Sequence, residues 1–166
     1  MLIEKIKKNV LVHGVVEETL FDGFRGRKVK DVIILEGRPG LQAARSNSRA
    51  LLKRKISPTL IADNMAGFLF FKNWVKEIWI AYQASGQQGA LCPIGAMILG
   101  VLGKSHGVPV YLYPVAEKSR FFGRPKDLFC FEGVRVAPNR AKGYVPLLEW
   151  LPVKYITKIY PKDSHE

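Results

Sequence analysis

Five short runs rich in β-branched and aromatic residues, "NVLVHG", "DVIILEG", "SPTLIAD", "EIWIAYQ" and "VPVYLYP", recur along the chain with helix-patterned stretches between them. Strands this apolar need cover on both faces, and helices between them supply it. The alternation predicts a three-layer α/β fold, a mainly parallel sheet with helices on both faces. Right-handed crossovers then bring every strand's carboxyl end to one edge. His13, Glu36, Asp63, Gln83 and Pro114 mark that edge, and a ligand belongs in the loops that follow them.

The stretches between the strands predict three helices. From Pro39 to Lys55, Leu41, Ala44, Ser48, Leu51 and Leu52 fall near helical spacing, while Gln42, Arg45 and Arg49 share another face. Pro39 suits the first turn, where its missing N–H costs nothing. After Asp63, the residues Met65, Phe68, Leu69, Phe70, Phe71 and Trp74 go most of the way round a helix. Burial on two sides follows, either within the fold or, as favoured here, in a homodimer through the helix Met65 to Trp74. The third helix is expected to begin near Pro93, run through "IGAMILGVLGKSHG" and stop at Gly107, its small residues allowing close approach to the sheet. Residues 117–144 are broken by Pro and Gly and read as long loops with one short strand. The segment "WLPVKYITKIYP" reads as a last strand. No repeat or linker interrupts the pattern, so residues 1–166 are read as a single domain.

The charge narrows the partners. With 26 Lys and Arg against 14 Asp and Glu, the formal charge is +12, which favours nucleic acid, phosphorylated metabolites or acidic proteins. The basic residues are spread along the chain without an RNA-recognition motif; a solvated surface and an RNA- or ribosome-associated module both stay open. No apolar run approaches the roughly 18 residues of a membrane span, and "MLIEKIKKNV" lacks a signal peptide's apolar core. The expectation is a cytoplasmic protein with no membrane partner. Cys92 and Cys130 show no CxxC spacing and only three histidines accompany them, so reduced thiols and no metal are expected. Cys92, near a helix start, is either a nucleophile or a packed thiol; His13 is either a base or a structural histidine; His106 is expected in a surface loop.

The strongest local signal is "EGRPGLQAAR", Glu36 to Arg45, where a glycine turn, a helix N-terminus and two guanidinium groups follow a buried strand. Backbone amides and arginines together favour an anion, phosphate first. Otherwise Arg38 is a solvated neighbour and Gln42 and Arg45 an ordinary polar face.

In order, "VLVHG", "EGRPGLQAAR", "PTLIADNMAG", "HGVPVYLYPVAEKSRF" and "LPVKYITKI" resemble segments of the family that unites the regulatory alpha, beta and delta subunits of translation initiation factor 2B with methylthioribose-1-phosphate isomerase and ribose-1,5-bisphosphate isomerase. The resemblance is to that family's C-terminal Rossmann-like domain and does not extend to its helical N-terminal domain. It implies phosphate contacts at Arg38, Gln42 and Arg45. Asp63 matches an aspartate after the family's third strand, with an N-cap for the following helix as its other reading. In the isomerases a cysteine follows the first-strand histidine and an aspartate ends the fourth strand; here those places hold Gly14 and Gln83, neither of which shuttles protons near neutral pH. The family's Asn-Lys pair before the third helix is Cys92 and Pro93. The His-Gly ending and "AEKSRF" are closer to the initiation factor subunits. The resemblance therefore implies a non-catalytic protein that needs no cofactor and binds a phosphorylated small molecule, a sugar phosphate or nucleotide, through His13, Gly14, Arg38, Gln42, Arg45, Asp63 and Gln83. A homo-oligomer is implied as well, with an initiation factor as a further partner, and the basic charge keeps RNA as another. The alternative is a sugar-phosphate isomerase with a rearranged site.

Overall fold

All five apolar runs form strands, and a sixth, short strand joins their sheet. The computed structural model describes residues 9–24, 29, 31–131 and 133–161. In chain order the first strands are β1 (Asn9–His13), β2 (Asp31–Leu35), β3 (Ser57–Ile61) and β4 (Val75–Tyr82), then β5 (Ala84–Gly86), β6 (Gly89–Pro93) and β7 (Val110–Pro114). The last are β8 (Cys130–Phe131), β9 (Val134–Arg135), β10 (Leu148–Pro152) and β11 (Lys158–Ile159). The α-helices are α1 (Gln42–Lys53), α2 (Ala66–Phe71), α3 (Ala96–His106) and α4 (Pro125–Phe129). The main sheet runs β11-β7-β4-β1-β2-β3, every neighbouring pair parallel.

Period-two side-chain alternation divides each central strand between two cores. Leu11, Ile33, Ile78 and Ile80 face one layer with Leu69 and Phe70 of α2 and Leu99 of α3. Val10, Val12, Val32, Ile34 and Trp79 face the other with Leu51 of α1, Phe21 of the 3-10 segment after β1, and Phe24 just beyond that segment. Phe24 stacks on Trp79 at 4.6 Å between ring centroids. Each fully buried branched or aromatic side chain in these layers contributes on the order of 2 kcal/mol. The three-layer α/β arrangement with helices on both faces is the one the alternation implied.

Glycines let α3 press onto the sheet. A Cβ on Gly103 would lie 2.8 Å from Ile78 Cδ1 and Val110 Cγ2, and one on Gly100 would lie 2.8 Å from Leu151 Cδ1.

Several boundaries differ from the sequence reading. Pro39 lies before α1, not in its first turn, because the chain makes a turn through residues 38–41 and Leu41 takes a left-handed φ of 58°. The apolar segment after Asp63 is a 3-10 turn, Asp63–Met65, followed by the short α2, and Trp74 stands beyond it. The third helix starts at Ala96 because "GALCP" is β6, paired antiparallel to β10 and β5 in a separate three-stranded sheet. "WLPVKYITKIYP" makes two strands: β10 in that small sheet and β11 at the edge of the main one. Residues 117–144 carry α4 and the hairpin β8–β9. His106 is the last residue of α3, its ring 5.5 Å from that of Phe70.

Strand order reverses at β1: the chain runs outward through β2 and β3 on one side and through β4, β7 and β11 on the other. Parallel open sheets bind ligands at the carboxyl ends of the two strands flanking such a switch. Here those ends carry His13 and Gly14 from β1, and Gln83 after β4.

Candidate functional site at the strand carboxyl edge

The crevice at the switch point holds protein. The turn from β6 into α3, Pro93 to Gly95, packs into it against β1. His13 is 3% exposed, and its Nε2 lies 2.9 Å from the Ile94 carbonyl and 3.4 Å from that of Pro93. A carbonyl only accepts, so Nε2 carries a proton and donates it here. Burial pushes the His13 pKa below its ordinary 6.5, against the opposing pull of Asp63, the two carbonyls and Glu149. His13 is thus a buried strut between β1 and the start of α3.

Gly14 follows with φ of 79°. A Cβ there would lie 2.7 Å from Pro93 Cγ and 2.8 Å from Ala81 Cβ. Both the backbone angle and the surroundings therefore demand a glycine. The Gly14 carbonyl accepts a 2.9 Å bond from Nδ2 of buried Asn47 on α1.

The arginine loop is held from β3. Asp63 Oδ1 accepts from the Gly37 amide at 2.9 Å and Oδ2 from the Arg38 amide at 2.8 Å. Of the two sequence readings of Asp63, the N-cap is not realised: the 3-10 turn that it opens has no side-chain cap. Its carboxylate instead fills the amide pair of the glycine turn, so an anion at this loop must rely on side chains and the first turn of α1. Of those side chains, Gln42 and Arg45 stand exposed one turn apart on α1, and the Arg38 guanidinium rests 4.4 Å over the ring of Phe131 in β8.

The opening of α3 is treated likewise. Glu149 Oε1, on β10, accepts from the Gly95 amide at 2.7 Å and the Met97 amide at 2.8 Å. A protein carboxylate thus satisfies the amides that an anion could otherwise occupy. Gln83 is also engaged, its Oε1 accepting from the Ser119 amide at 2.7 Å. Cys92 is fully buried in β6, and burial followed by Glu149 pushes its thiol up to about 12. Of its two sequence readings, the packed thiol is the one that the geometry fits.

The seven sequence-derived residues thus divide into two groups. His13 and Gly14 at the end of β1 are buried against the turn into α3, and half-buried Gln83 after β4 is engaged by Ser119; Arg38, Gln42 and Arg45 lie on the loop and first turn of α1, with Asp63 behind the loop. A concavity of about 370 Å³ further along, lined by Glu17, Thr19, Tyr113, Pro114 and Tyr160 among others, does not include the arginines. Sequence reasoning missed Asn47, Glu149, Pro93 and Phe131. Asn47 had a signal, since it falls at helical spacing between Ala43 and Ala50 on the buried face of α1. The others act on residues distant in sequence and had none. Among the described residues no group of three or more His, Cys, Asp or Glu side chains is placed to hold a metal, and no helix is long and apolar enough to cross a membrane.

Comparison with known proteins adds three findings. The sequence profile described as the Initiation factor 2 subunit family matches residues 3–160. A methylthioribose-1-phosphate isomerase of Thermus thermophilus is 29% identical over 164 residues, 89% of this chain and 48% of that one; one of Desulfitobacterium hafniense is 34% identical over 151 residues, 81% and 42% respectively. The chain spans about half the length of these curated relatives. Among solved structures, the delta subunit of translation initiation factor eIF-2B from A. fulgidus superposes with a TM-score of 0.81 at 20% identity, over 91% of this chain and 51% of that one. The 5-methylthioribose 1-phosphate isomerase from Pyrococcus horikoshii gives 0.78 at 23% identity, over 92% and 49%. At these identities the superpositions speak to the fold.

Proposed function

The chain belongs to the Initiation factor 2 subunit family, and from that premise we propose that it binds a phosphorylated small molecule, a sugar phosphate or a nucleotide, without turning it over. The observation that carries the second half is the packing at Gly14. If the resemblance places the isomerases' cysteine there, the space for its side chain is filled by Pro93 and Ala81. The fourth-strand position offers an amide already spent on Ser119, and a carboxamide does not titrate. His13 is neutral and its one proton is committed to Ile94. Gly14, Gln83 and His13 therefore offer no pair of groups to take a proton from one sugar carbon and return it to the next.

Binding is supported by the basic edge. Arg38 and Arg45 present guanidinium groups that match a phosphate's geometry, with Gln42 between them as a neutral donor. The ligand lies outside the filled crevice, with its phosphate on α1 and its remainder toward the turn at His13 and Gly14. In the same reading the protein is a homodimer through α2 and the turn before it, where Met65, Phe68 and Phe71 stay 44%, 50% and 73% exposed while Leu69 and Phe70 are buried.

The second reading, a sugar-phosphate isomerase with a rearranged site, is favoured by the names of the relatives that share 29% and 34% of their aligned residues. A thermal-shift screen of nucleoside monophosphates and sugar phosphates separates the outcomes. Stabilisation by a phosphorylated compound that is lost in Arg45→Ala supports the site; stabilisation that persists in the variant removes it. Formation of a ketose from any aldose phosphate in the same mixtures removes the non-catalytic reading.

A further inference from the structure

A second surface adjoins the strand carboxyl edge, touching it where the Ser119 amide meets Gln83 and where Phe131 lies under Arg38. The arm from Glu117 to Tyr144 carries seven Lys and Arg against three Asp and Glu, about twice the net charge per residue of the whole chain. Only one of those cations, Arg124, is tied up in an ion pair among the described residues, at 2.9 Å from Asp127; Arg120, Lys126, Arg140 and Lys142 stand in solvent. Set among them are rings that a folded chain ordinarily hides: Phe122 is 56% and Tyr144 77% exposed. The two rings pack on each other, 5.9 Å between centroids at a 52° tilt.

The rings do not hang from a loose loop. The stem is pinned by antiparallel bonds from the Gly123 amide to the Val145 carbonyl and from the Leu147 amide to the Phe121 carbonyl, both 2.8 Å, with Phe122 bridged opposite Pro146. Val145 is buried at its base. The platform is therefore presented already ordered, which lowers the entropic cost of using it.

Three partners fit exposed rings in a basic field, and two are disfavoured. A second copy would bring the same charge against itself. A membrane surface favours an amphipathic helix, whereas among the described residues the only helix in this arm is the five-residue α4, and non-helical backbone cannot enter hydrocarbon with its amides unsatisfied. A single-stranded nucleic acid matches both properties at once: its phosphates answer the cations, and its unpaired bases supply flat faces for the rings. We propose that the arm from Glu117 to Tyr144 is a docking surface for single-stranded nucleic acid, with phosphates on Arg120, Lys126, Arg140 and Lys142 and a base stacked on the Phe122–Tyr144 pair. None of these residues is among Arg38, Gln42 and Arg45 of the ligand edge, although Phe131 of the same arm lies under Arg38.

The test is fluorescence anisotropy with labelled single-stranded RNA and DNA of about 20 nucleotides, longer than one such footprint, titrated between about 50 and 200 mM salt. Saturable binding is expected. The exposed pair Arg140→Gln/Lys142→Gln should flatten the plot of log affinity against log salt by about 1.4, two phosphate contacts' worth. Phe122→Leu/Tyr144→Leu should weaken binding about tenfold with the salt slope unchanged. Lys72→Gln/Lys104→Gln, which removes two exposed cations elsewhere, should leave the affinity within about twofold of the parent. Far-ultraviolet circular dichroism of each variant checks that the fold is kept. The proposal is overturned if no saturable binding occurs, if the control pair costs as much as the arm pair, or if the ring variant binds like the parent. Tighter binding to a duplex of equal length, or to phosphatidylserine vesicles in preference to the oligonucleotide, overturns it as well.

Discussion

At Gly14 the left-handed φ of 79° and the side chains of Pro93 and Ala81, which a Cβ there would approach to under 3 Å, both exclude a side chain. Gly14→Cys should cost about 3 kcal/mol in urea unfolding, from backbone strain and overpacking together, and should show no ketose formation, since the thiol would have to displace Pro93. His13 gives a pH dependence of definite sign. Its folded pKa is lowered below 6.5 by burial, so above pH 6.5 the imidazole is neutral in both states and costs nothing. As pH falls through 6.5 the unfolded chain takes up a proton that the folded one refuses, and stability declines. Urea midpoints measured down from pH 7.5 should fall below about pH 6.5, and His13→Gln should remove that component; an unchanged slope in the variant would show that another group titrates.

Among the elements, two carboxylates govern how loops meet the sheet. Asp63 holds the Gly37–Arg38 turn and Glu149 holds the start of α3. Glu149→Ala should cost about 2 kcal/mol in chemical denaturation, while the equivalent change at the exposed, singly ion-paired Glu18 should cost less than about 1 kcal/mol. The sequence made the parallel strands legible because their apolar runs carry the period of a sheet buried on both faces. It hid β6 and β10, whose pairing joins residues 89–93 to 148–152 through short strands that begin or end in Gly and Pro. The site was half legible for the same reason. Arg38, Gln42 and Arg45 announce themselves within ten residues, whereas the roles of Pro93, Glu149 and Phe131 depend on partners 52 to 93 positions away, which no local pattern encodes.

For the whole molecule, the two consequential surfaces are apolar and basic. The face of α2 should bury Phe71 and Phe68 in a homodimer; sedimentation equilibrium is expected to report a dimer for the parent and a monomer for Phe71→Glu, at unchanged circular dichroism. A monomeric parent would leave α2 an exposed helix and remove the dimer from the account. The net charge of +12 favours phosphate at the arginine edge, but charge alone does not separate binding from turnover. One measurement addresses both: phosphorus NMR of methylthioribose 1-phosphate, with ribose 1,5-bisphosphate in parallel, followed over hours with the protein. The account expects saturable broadening or shift of a phosphate resonance, abolished in Arg45→Ala, and no new resonance from a ketose phosphate. A growing ketose phosphate signal, or a phosphate resonance that the protein leaves untouched for every phosphorylated compound tried, would contradict it.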